Sequence, residues 1–213
     1  MRPSCAILGP DMPADEPSAS LDVALVKTVT SRALTLGPQG RRAVVFDGLL
    51  RTEARVALHV DLLKREYTFT NNDSHLTEFA RHLVHTTEPN QWADDPVITE
   101  FLVMARTLMR ALELDSSRLE RVYANLGLFG DHHHTHTDGD CWTVLFFANA
   151  HWNADWGGEL LLYEDDAESM AVAVAPRPGR AVIFDGDLPH RAGVPSKYCP
   201  EARLTVAVKF LRL

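Results

Sequence analysis

A short segment rich in metal-binding side chains, His134-Thr135-His136-Thr137-Asp138, is followed far downstream by Pro189-His190-Arg191. Two imidazoles and one carboxylate form the ligand set that holds iron(II) on one face and leaves the opposite positions open for oxygen chemistry. Because His136 and His190 lie far apart in the sequence, only the tertiary fold can bring them together. The pattern therefore predicts a metal centre and, with it, an architecture.

Two choices of ligands are open within the first segment. Residues two apart in an extended strand point to the same side, so His134, His136 and Asp138 share one face. One choice takes His136 and Asp138 together with His190, and the other is a three-histidine site of His134, His136 and His190. We favour the first, because a carboxylate lowers the net charge of the site and completes the facial triad expected for iron.

The two histidines before this segment, His132 and His133, are interpreted as exposed neighbours and not as ligands. A plainer interpretation of the whole tract is a solvated turn or an adventitious metal-binding sequence. A lone His-x-Asp pattern favours that interpretation because it is short. The distal His190, which follows the apolar run 181–184, favours a site built by the fold.

The composition is typical of a globular protein, with 46% apolar and 23% charged residues in a chain of 213. This length suits one domain with a sizeable core. The net charge of −8 argues against binding along a nucleic-acid backbone, and no apolar run approaches the roughly 20 residues that span a bilayer. Three widely spaced cysteines, Cys5, Cys141 and Cys199, indicate a reducing compartment. We therefore expect a cytoplasmic protein without nucleic-acid or membrane partners.

The front half of the chain predicts helices that support a core. Residues 1–20 contain four prolines and are interpreted as a flexible leader before a single domain over 21–213. Two short strands are expected in this half, at 44–50 and 66–70. Helical spacing of apolar residues or helix-start signals predict helices at 52–64, 74–85 and 95–114.

Short apolar runs that alternate with turn signals dominate after Ser117. They lie at 119–126, 142–148, 159–163, 170–174, 181–184 and 204–213. We therefore predict an α+β fold, with an antiparallel sandwich or barrel of the jelly-roll kind over about 117–213, supported by helices within 51–114.

An ordered set of motifs runs through this back half. In chain order its members are Tyr123 and Gly127, His136-Thr137-Asp138, Thr143–Asn149, Trp156-Gly157-Gly158-Glu159-Leu160, Pro176–Phe184, His190 with Gly193, and Arg203-Leu204-Thr205. Any one of these motifs is weak. Together, over about residues 119–210, they resemble the iron(II)- and 2-oxoglutarate-dependent oxygenases, specifically the prolyl-hydroxylase-like branch.

The resemblance implies a double-stranded β-helix in which His136, Asp138 and His190 bind iron. It also implies that Arg203 forms a salt bridge to the distal carboxylate of 2-oxoglutarate, with a hydrogen bond from Thr205. The physical chemistry agrees, because a guanidinium is permanently charged and matches a carboxylate with two hydrogen bonds. Arg203 and Thr205 are two apart on a predicted strand and therefore face the same way.

The chain departs from the family pattern at one point. Many relatives carry a tyrosine, whose hydroxyl helps to hold the cosubstrate, where this chain has Phe146 or Phe147. Another donor must then serve, and Tyr123 and Asn125 are the candidates.

The function implied by the resemblance is that of a dioxygenase that uses iron(II), 2-oxoglutarate and O2. It would hydroxylate an unactivated C–H bond of a small molecule, with release of succinate and CO2. Amino acids, carrier-bound intermediates and other metabolites are the expected substrates, and the oligomeric state is left open, a homodimer being one arrangement. Asp138 favours hydroxylation, or desaturation, over halogenation, because the family's halogenases carry a small residue at this position.

Three alternatives stay open at this stage. The same chemistry could act on a proline of a peptide or protein, as in a prolyl hydroxylase. A non-catalytic metal-binding β-barrel would bind metal without consuming O2. A three-histidine dioxygenase would tolerate loss of Asp138.

Overall fold

The computed structural model describes residues 29–74, 77–114, 117–164 and 168–212. The predicted leader over 1–20 and Cys5 lie outside these residues. Within the described ranges the chain is mostly β-structure with two α-helices, and neither helix is long and apolar enough to cross a membrane.

The elements follow one another in an order that mixes both halves of the chain. The helices are α1 (Thr52–Leu63) and α2 (Pro96–Ala111). The strands are β1 (Thr30–Leu36), β2 (Arg41–Asp47), β3 (Thr68–Asn71), β4 (His82–Thr86), β5 (Arg118–Gly127), β6 (Cys141–Phe147), β7 (Leu160–Tyr163), β8 (Met170–Val174), β9 (Ala181–Asp185), β10 (His190–Ala192) and β11 (Arg203–Leu211).

The strands form one large and one small sheet, and the strand pairs are antiparallel. The large sheet has the order β1-β2-β9-β6-β11-β5-β4-β3, and the small sheet has the order β10-β7-β8. An isolated antiparallel bridge between His136 and His190 extends the small sheet beyond β10. Two facing antiparallel sheets with this order are consistent with the predicted jelly-roll fold.

The large sheet is covered on both faces, which explains its long apolar runs. Successive residues of a strand point to opposite faces. In β6, Phe146 packs with Phe101 of α2 on the helical side, whereas Leu145 and Phe147 belong to a second cluster with Leu162 of the small sheet. The resulting order is helices, large sheet, small sheet, and the site described below lies between the two sheets.

Helix α2 forms where its sequence predicts. Asp95 accepts hydrogen bonds from the backbone N–H groups of Val97 and Ile98, and Pro96 occupies the first turn, where its missing N–H has no consequence. Its buried residues recur at helical spacing: Ile98, Phe101, Met104, Ala105, Leu108 and Met109. The predicted helices at 95–114 and 52–64 therefore correspond to α2 and α1.

The predicted helix over 74–85 is wrong. In the described part of this stretch the backbone forms short turns, closed by the N–H of Thr77 on the carbonyl of Ser74 and by the N–H of Ala80 on the carbonyl of Thr77, and β4 begins at His82. In β4, His82 and Val84 are buried while their neighbours are less so, which is the alternation of a strand. This strand pairs with β3 on one side and β5 on the other, so pairing within the sheet overrides the local helix-start signal.

Helical support over 51–114 is also an incomplete description of the front half. That half contributes β1 to β4 to the large sheet, and β1 has no counterpart among the predicted elements. Its pairing with β2, and that of β2 with β9, carry the sheet beyond residues 117–213.

Candidate metal centre

The backbone brings the predicted ligands together through the bridge between the two histidines. The N–H of His136 donates to the carbonyl of His190 at 3.0 Å, and the N–H of His190 donates back at 2.9 Å. Two residues further on, the N–H of Asp138 donates to the carbonyl of Gly186 at 2.7 Å. The turn before β10 and the segment before β6 are therefore held side by side, which places all three side chains at one point.

The three side chains form a compact donor set. One donor atom from each of His136, Asp138 and His190 lies within 4.8 Å of the others. Nε2 of His136 is 3.8 Å from Asp138 Oδ1, and Nε2 of His190 is 3.6 Å from Asp138 Oδ2. Two imidazoles and a carboxylate at this separation match the facial set that non-haem iron(II) prefers.

Backbone carbonyls fix how the two imidazole rings are turned. Nδ1 of His136 lies 2.9 Å from the carbonyl oxygen of His134, and Nδ1 of His190 lies 2.9 Å from that of Leu188. Since a carbonyl only accepts, each Nδ1 carries the proton and each Nε2 keeps its lone pair. Ligand histidines in metalloproteins are oriented in this way.

Asp138 is held from both sides by donors. The Thr143 hydroxyl donates to Oδ2 at 2.5 Å, and the Lys209 ammonium donates to Oδ1 at 2.7 Å. Burial raises the pKa of Asp138, but the positive charges of protonated His190 and of Lys209, with these hydrogen bonds, outweigh it and lower the pKa to about 2. Burial lowers the pKa of His190 to about 4. At neutral pH the site therefore offers an anionic carboxylate and a neutral imidazole.

The remaining histidines of the tract lie elsewhere. The ring of His134 contacts the rings of Phe79 and His132 and does not join the triad, so the three-histidine alternative lacks one of its ligands in this geometry. His132 is exposed, as predicted. The prediction that His133 is exposed is wrong, because its side chain is only 12% exposed and its ring stacks on that of His82.

Arg203 begins β11 as a buried cation. Its Nε donates to the carbonyl of Gly158 at 2.5 Å, and its Nη1 is 3.5 Å from the Thr205 hydroxyl. Among the described residues no carboxylate forms an ion pair with it, and burial lowers its pKa to about 10. The carboxylates of Glu159 and Asp131 offset its charge only from a longer distance, and a buried charge without a direct ion pair is unfavourable. This guanidinium therefore fits an anionic ligand such as a carboxylate.

A small pocket lies against Arg203. Asn125 lines it, and its Oδ1 is buried without a hydrogen-bond partner. Tyr123 is buried closer to the metal triad, with the Lys209 ammonium 5.6 Å from its ring centre. Of the two phenylalanines, only Phe147 faces this side of the sheet, under the Arg203 guanidinium at 5.4 Å. Asn125 therefore lines this pocket, with its side-chain NH2 as the available donor, whereas Tyr123 does not line it.

Two features of the site have no counterpart among the predicted site residues. Lys209 continues the alternation 203, 205, 207, 209 along β11, so its position on the same face as Arg203 follows from strand periodicity. A second group of donors, Asp73, His82 and His133, lies beside the triad. It joins three separate segments of the chain, and no local motif indicates it.

The sequence matches a family model described as the 2OG-Fe(II) oxygenase superfamily over residues 121–210. The match includes the triad, Asn125, Arg203 and Lys209. Residues 121–210 are therefore similar to that superfamily, in which iron(II) and 2-oxoglutarate are the cofactors. The donor triad fits the metal, and the buried, unpaired guanidinium fits the dicarboxylate. No curated protein sequence matches the chain.

Several solved structures share the fold. A prolyl-4-hydroxylase of Pseudomonas putida aligns with a TM-score of 0.58 and 18% identity, over 90% of this chain and 96% of that one. A viral collagen prolyl hydroxylase from Paramecium Bursaria Chlorella virus-1, in a 2OG complex, aligns at 0.58 and 15% identity, over 80% and 96%. The alpha ketoglutarate dependent epimerase SnoN from nogalamycin biosynthesis aligns at 0.57 and 15% identity, over 80% and 77%. At these identities the likeness concerns the fold.

Proposed function

We propose that the protein is an Fe(II)- and 2-oxoglutarate-dependent dioxygenase that hydroxylates an unactivated C–H bond of a small molecule. The observation that carries the proposal is the convergence of His136, Asp138 and His190, together with the buried Arg203 on the same strand face as Lys209, which contacts Asp138. When bound, iron(II) and 2-oxoglutarate supply O2 activation, with succinate and CO2 as products. A donor triad and an anion anchor side by side are what such a reaction requires of a protein.

The chain's own residues have distinct roles in this proposal. His136, Asp138 and His190 hold the metal, with both rings oriented by backbone carbonyls. Arg203 binds the distal carboxylate of 2-oxoglutarate, since its buried guanidinium forms no direct ion pair with a carboxylate of the described residues. Thr205 is adjacent to that guanidinium, so its hydroxyl is placed to add a hydrogen bond to the same carboxylate.

Asn125 and Thr143 complete the proposed site. Asn125 lines the pocket beside Arg203, where its side-chain NH2 would donate a hydrogen bond to the cosubstrate. Thr143 keeps Asp138 in one rotamer. Because Asp138 occupies the position of a metal ligand, hydroxylation is favoured over halogenation.

A compact substrate is supported by the enclosure of the triad. The side chains of Asp138 and His190 are 4% and 8% exposed, and that of His136 is 18% exposed. Access to the metal is therefore narrow and lies on the His136 side. Amino acids, carrier-bound intermediates and similar metabolites suit such an opening. The prolyl hydroxylases among the similar folds support a second candidate, a proline within a peptide.

Succinate formation tests the proposal. Protein loaded with iron(II) and 2-oxoglutarate is exposed to O2 with free amino acids including proline, other metabolite pools, or proline-rich peptides. We expect a small-molecule pool to stimulate succinate formation in the wild type and not in Asp138→Ala. Stimulation by peptides alone would change the substrate class. If the protein binds metal but consumes no O2 with any of the pools, the proposed catalytic function is refuted and a non-catalytic barrel is favoured.

A further inference from the structure

Two aspartates and two histidines form a closed ring beside the triad, which we call the clamp: Asp73, His82, Asp131 and His133. His82 Nε2 lies 3.1 Å from Asp73, and its Nδ1 lies 2.6 Å from Asp131. His133 Nδ1 lies 3.0 Å from Asp73, and its Nε2 lies 3.7 Å from Asp131. His82 therefore bridges the two carboxylates by hydrogen bonds, whereas His133 is hydrogen-bonded to Asp73 and only lies near Asp131. The two rings stack with centres 3.6 Å apart.

The ring geometry of the clamp favours hydrogen bonding over metal binding. A metal ion bound to imidazole lies close to the ring plane, along the nitrogen lone pair. The rings of His82 and His133 are inclined by only 18° and lie one above the other. Their lone pairs are nearly parallel and do not converge on one point, whereas every ring nitrogen faces a carboxylate oxygen. The clamp is therefore complete as a set of side-chain contacts.

The clamp anchors a segment that has no other regular support. Residues 131–135 lie between β5 and the His136 bridge and belong to neither a helix nor a strand. Asp73 follows β3 and His82 begins β4, so these two residues come from the edge of the large sheet. Their contacts with Asp131 and His133 tie the metal-binding segment to that edge.

The backbone of one residue, His134, connects the clamp to a metal-ligand ring. Asp73 Oδ2 accepts a hydrogen bond from the N–H of His134 at 2.6 Å. The carbonyl of the same residue accepts from Nδ1 of His136 at 2.9 Å. Asp73 itself is 3.7 Å from that Nδ1, which is too far for a hydrogen bond. Asp73 therefore acts on the His136 ring through the backbone of His134. Its side chain is 2% exposed, which keeps water from replacing it.

We propose that Asp73 is a positioning residue of the metal centre: by holding the N–H of His134 it fixes the backbone of that residue, whose carbonyl orients the ring of His136. The inference rests on the proposed function, because it assigns the triad to a metal. Loss of an outer partner of a ligand histidine weakens metal binding by about 10- to 100-fold. Asp73 lies far from the triad in sequence, and its effect should appear in the metal affinity before any substrate is known.

Cobalt(II) binding to the full chain tests the proposal. Wild type, Asp73→Ala and Asp73→Asn are titrated calorimetrically, and the visible absorption of the cobalt complex reports the ligand geometry. We expect one cobalt per chain in wild type, weakened about 10- to 100-fold in Asp73→Ala with an altered spectrum. Asp73→Asn keeps an oxygen for the His134 N–H and should recover part of the affinity. This partial recovery decides the matter if the alanine variant does not fold.

Asp47→Ala is the matched control. Asp47 also holds a partly buried basic partner, Arg180, by two hydrogen bonds of 2.8 Å, but lies away from the triad. Its loss should lower thermal stability and leave cobalt affinity unchanged. Wild-type affinity and spectrum in folded Asp73→Ala would overturn the positioning role. So would a second cobalt per chain that disappears in that variant, since the clamp would then be a metal site.

The outcomes separate this inference from the proposed function. Cobalt binding that is lost in His136→Ala and weakened in Asp73→Ala supports the positioning role even if no pool yields succinate. If the wild type forms succinate and Asp73→Ala binds cobalt as the wild type does, the dioxygenase function is supported and the positioning role of Asp73 is refuted.

Discussion

Replacing Arg203 by methionine should separate the stability of the protein from cosubstrate binding. Burial lowers the pKa of Arg203 from its ordinary value to about 10. Because a tenfold change in equilibrium is about 1.4 kcal/mol, the buried charge is unfavourable by about 3 kcal/mol. Methionine removes this charge and loses the hydrogen bond to Gly158, which contributes about 1.5–3 kcal/mol for a charged donor. The two effects nearly cancel, so the free energy of unfolding should stay the same or rise slightly.

Binding of 2-oxoglutarate should respond in the opposite sense. Two charge-assisted hydrogen bonds to a carboxylate are worth about 3–6 kcal/mol together, so the variant should bind it about 100- to 10,000-fold more weakly. Titration of 2-oxoglutarate into manganese-loaded protein without O2 measures the affinity, and urea unfolding measures the stability.

Arg180→Met is the control for this prediction. Arg180 donates two hydrogen bonds to Asp47, so its loss leaves that partly buried carboxylate with a longer contact of 3.6 Å to Arg177. The variant should destabilise the fold by about 1–3 kcal/mol without affecting 2-oxoglutarate binding. The reasoning is refuted if Arg203→Met is destabilised as much as Arg180→Met and still binds 2-oxoglutarate like the wild type. Arg203 would then be a structural cation.

Three further outcomes are expected. Asp138→Ala should abolish succinate formation and weaken metal binding. His134→Ala should spare metal binding, because His134 supports the site only through its backbone N–H and carbonyl groups. Equal loss of metal binding in both variants, measured by titration, would contradict this assignment. Gly158→Ala should destabilise the protein by about 1–3 kcal/mol in urea unfolding. Gly158 has φ +76°, and an added Cβ would lie 3.0 Å from Arg203 Cδ. Unchanged stability would show that the loop relaxes. Burial raises the pKa of Asp95, but hydrogen bonds from its arginine partner and the first turn of α2 lower it overall. The advantage of wild type over Asp95→Asn should therefore be full above the ordinary pKa of 3.8 and disappear as the pH falls through the lowered folded-state value; a difference independent of pH in acid unfolding curves would exclude an ionic contribution.

The triad and the arginine were predictable because each lies in a short motif. His136 and Asp138 share a strand face, and His190 follows a buried apolar run, so local spacing carries most of the information. Arg203 was identified through the order of motifs around it. Helix α2 was predictable for a similar reason, since its cap and its buried face are both local.

Features that depend on distant pairing were not predictable in the same way. The segment that leads into β4 carries a helix-start signal, and β4 becomes a strand through its antiparallel pairing with β5 and β3. The clamp joins Asp73, His82 and His133 through turns that no single segment specifies. Strand periodicity would have revealed Lys209, but nothing in the sequence pairs it with Asp138.

Because Lys209 neutralises the charge of Asp138, we expect the chain to fold without a bound metal ion. Zinc fingers and similar small domains need an ion before they fold, because their ligands have no other partners. Here the carboxylate has an ammonium and a hydroxyl, and both imidazoles have carbonyl acceptors, all from the chain itself. Treatment with a chelator should therefore lower the thermal midpoint by only a few degrees, as seen by calorimetry, and full unfolding would disprove this. Such a centre can be emptied and refilled with different metals without passing through the denatured chain.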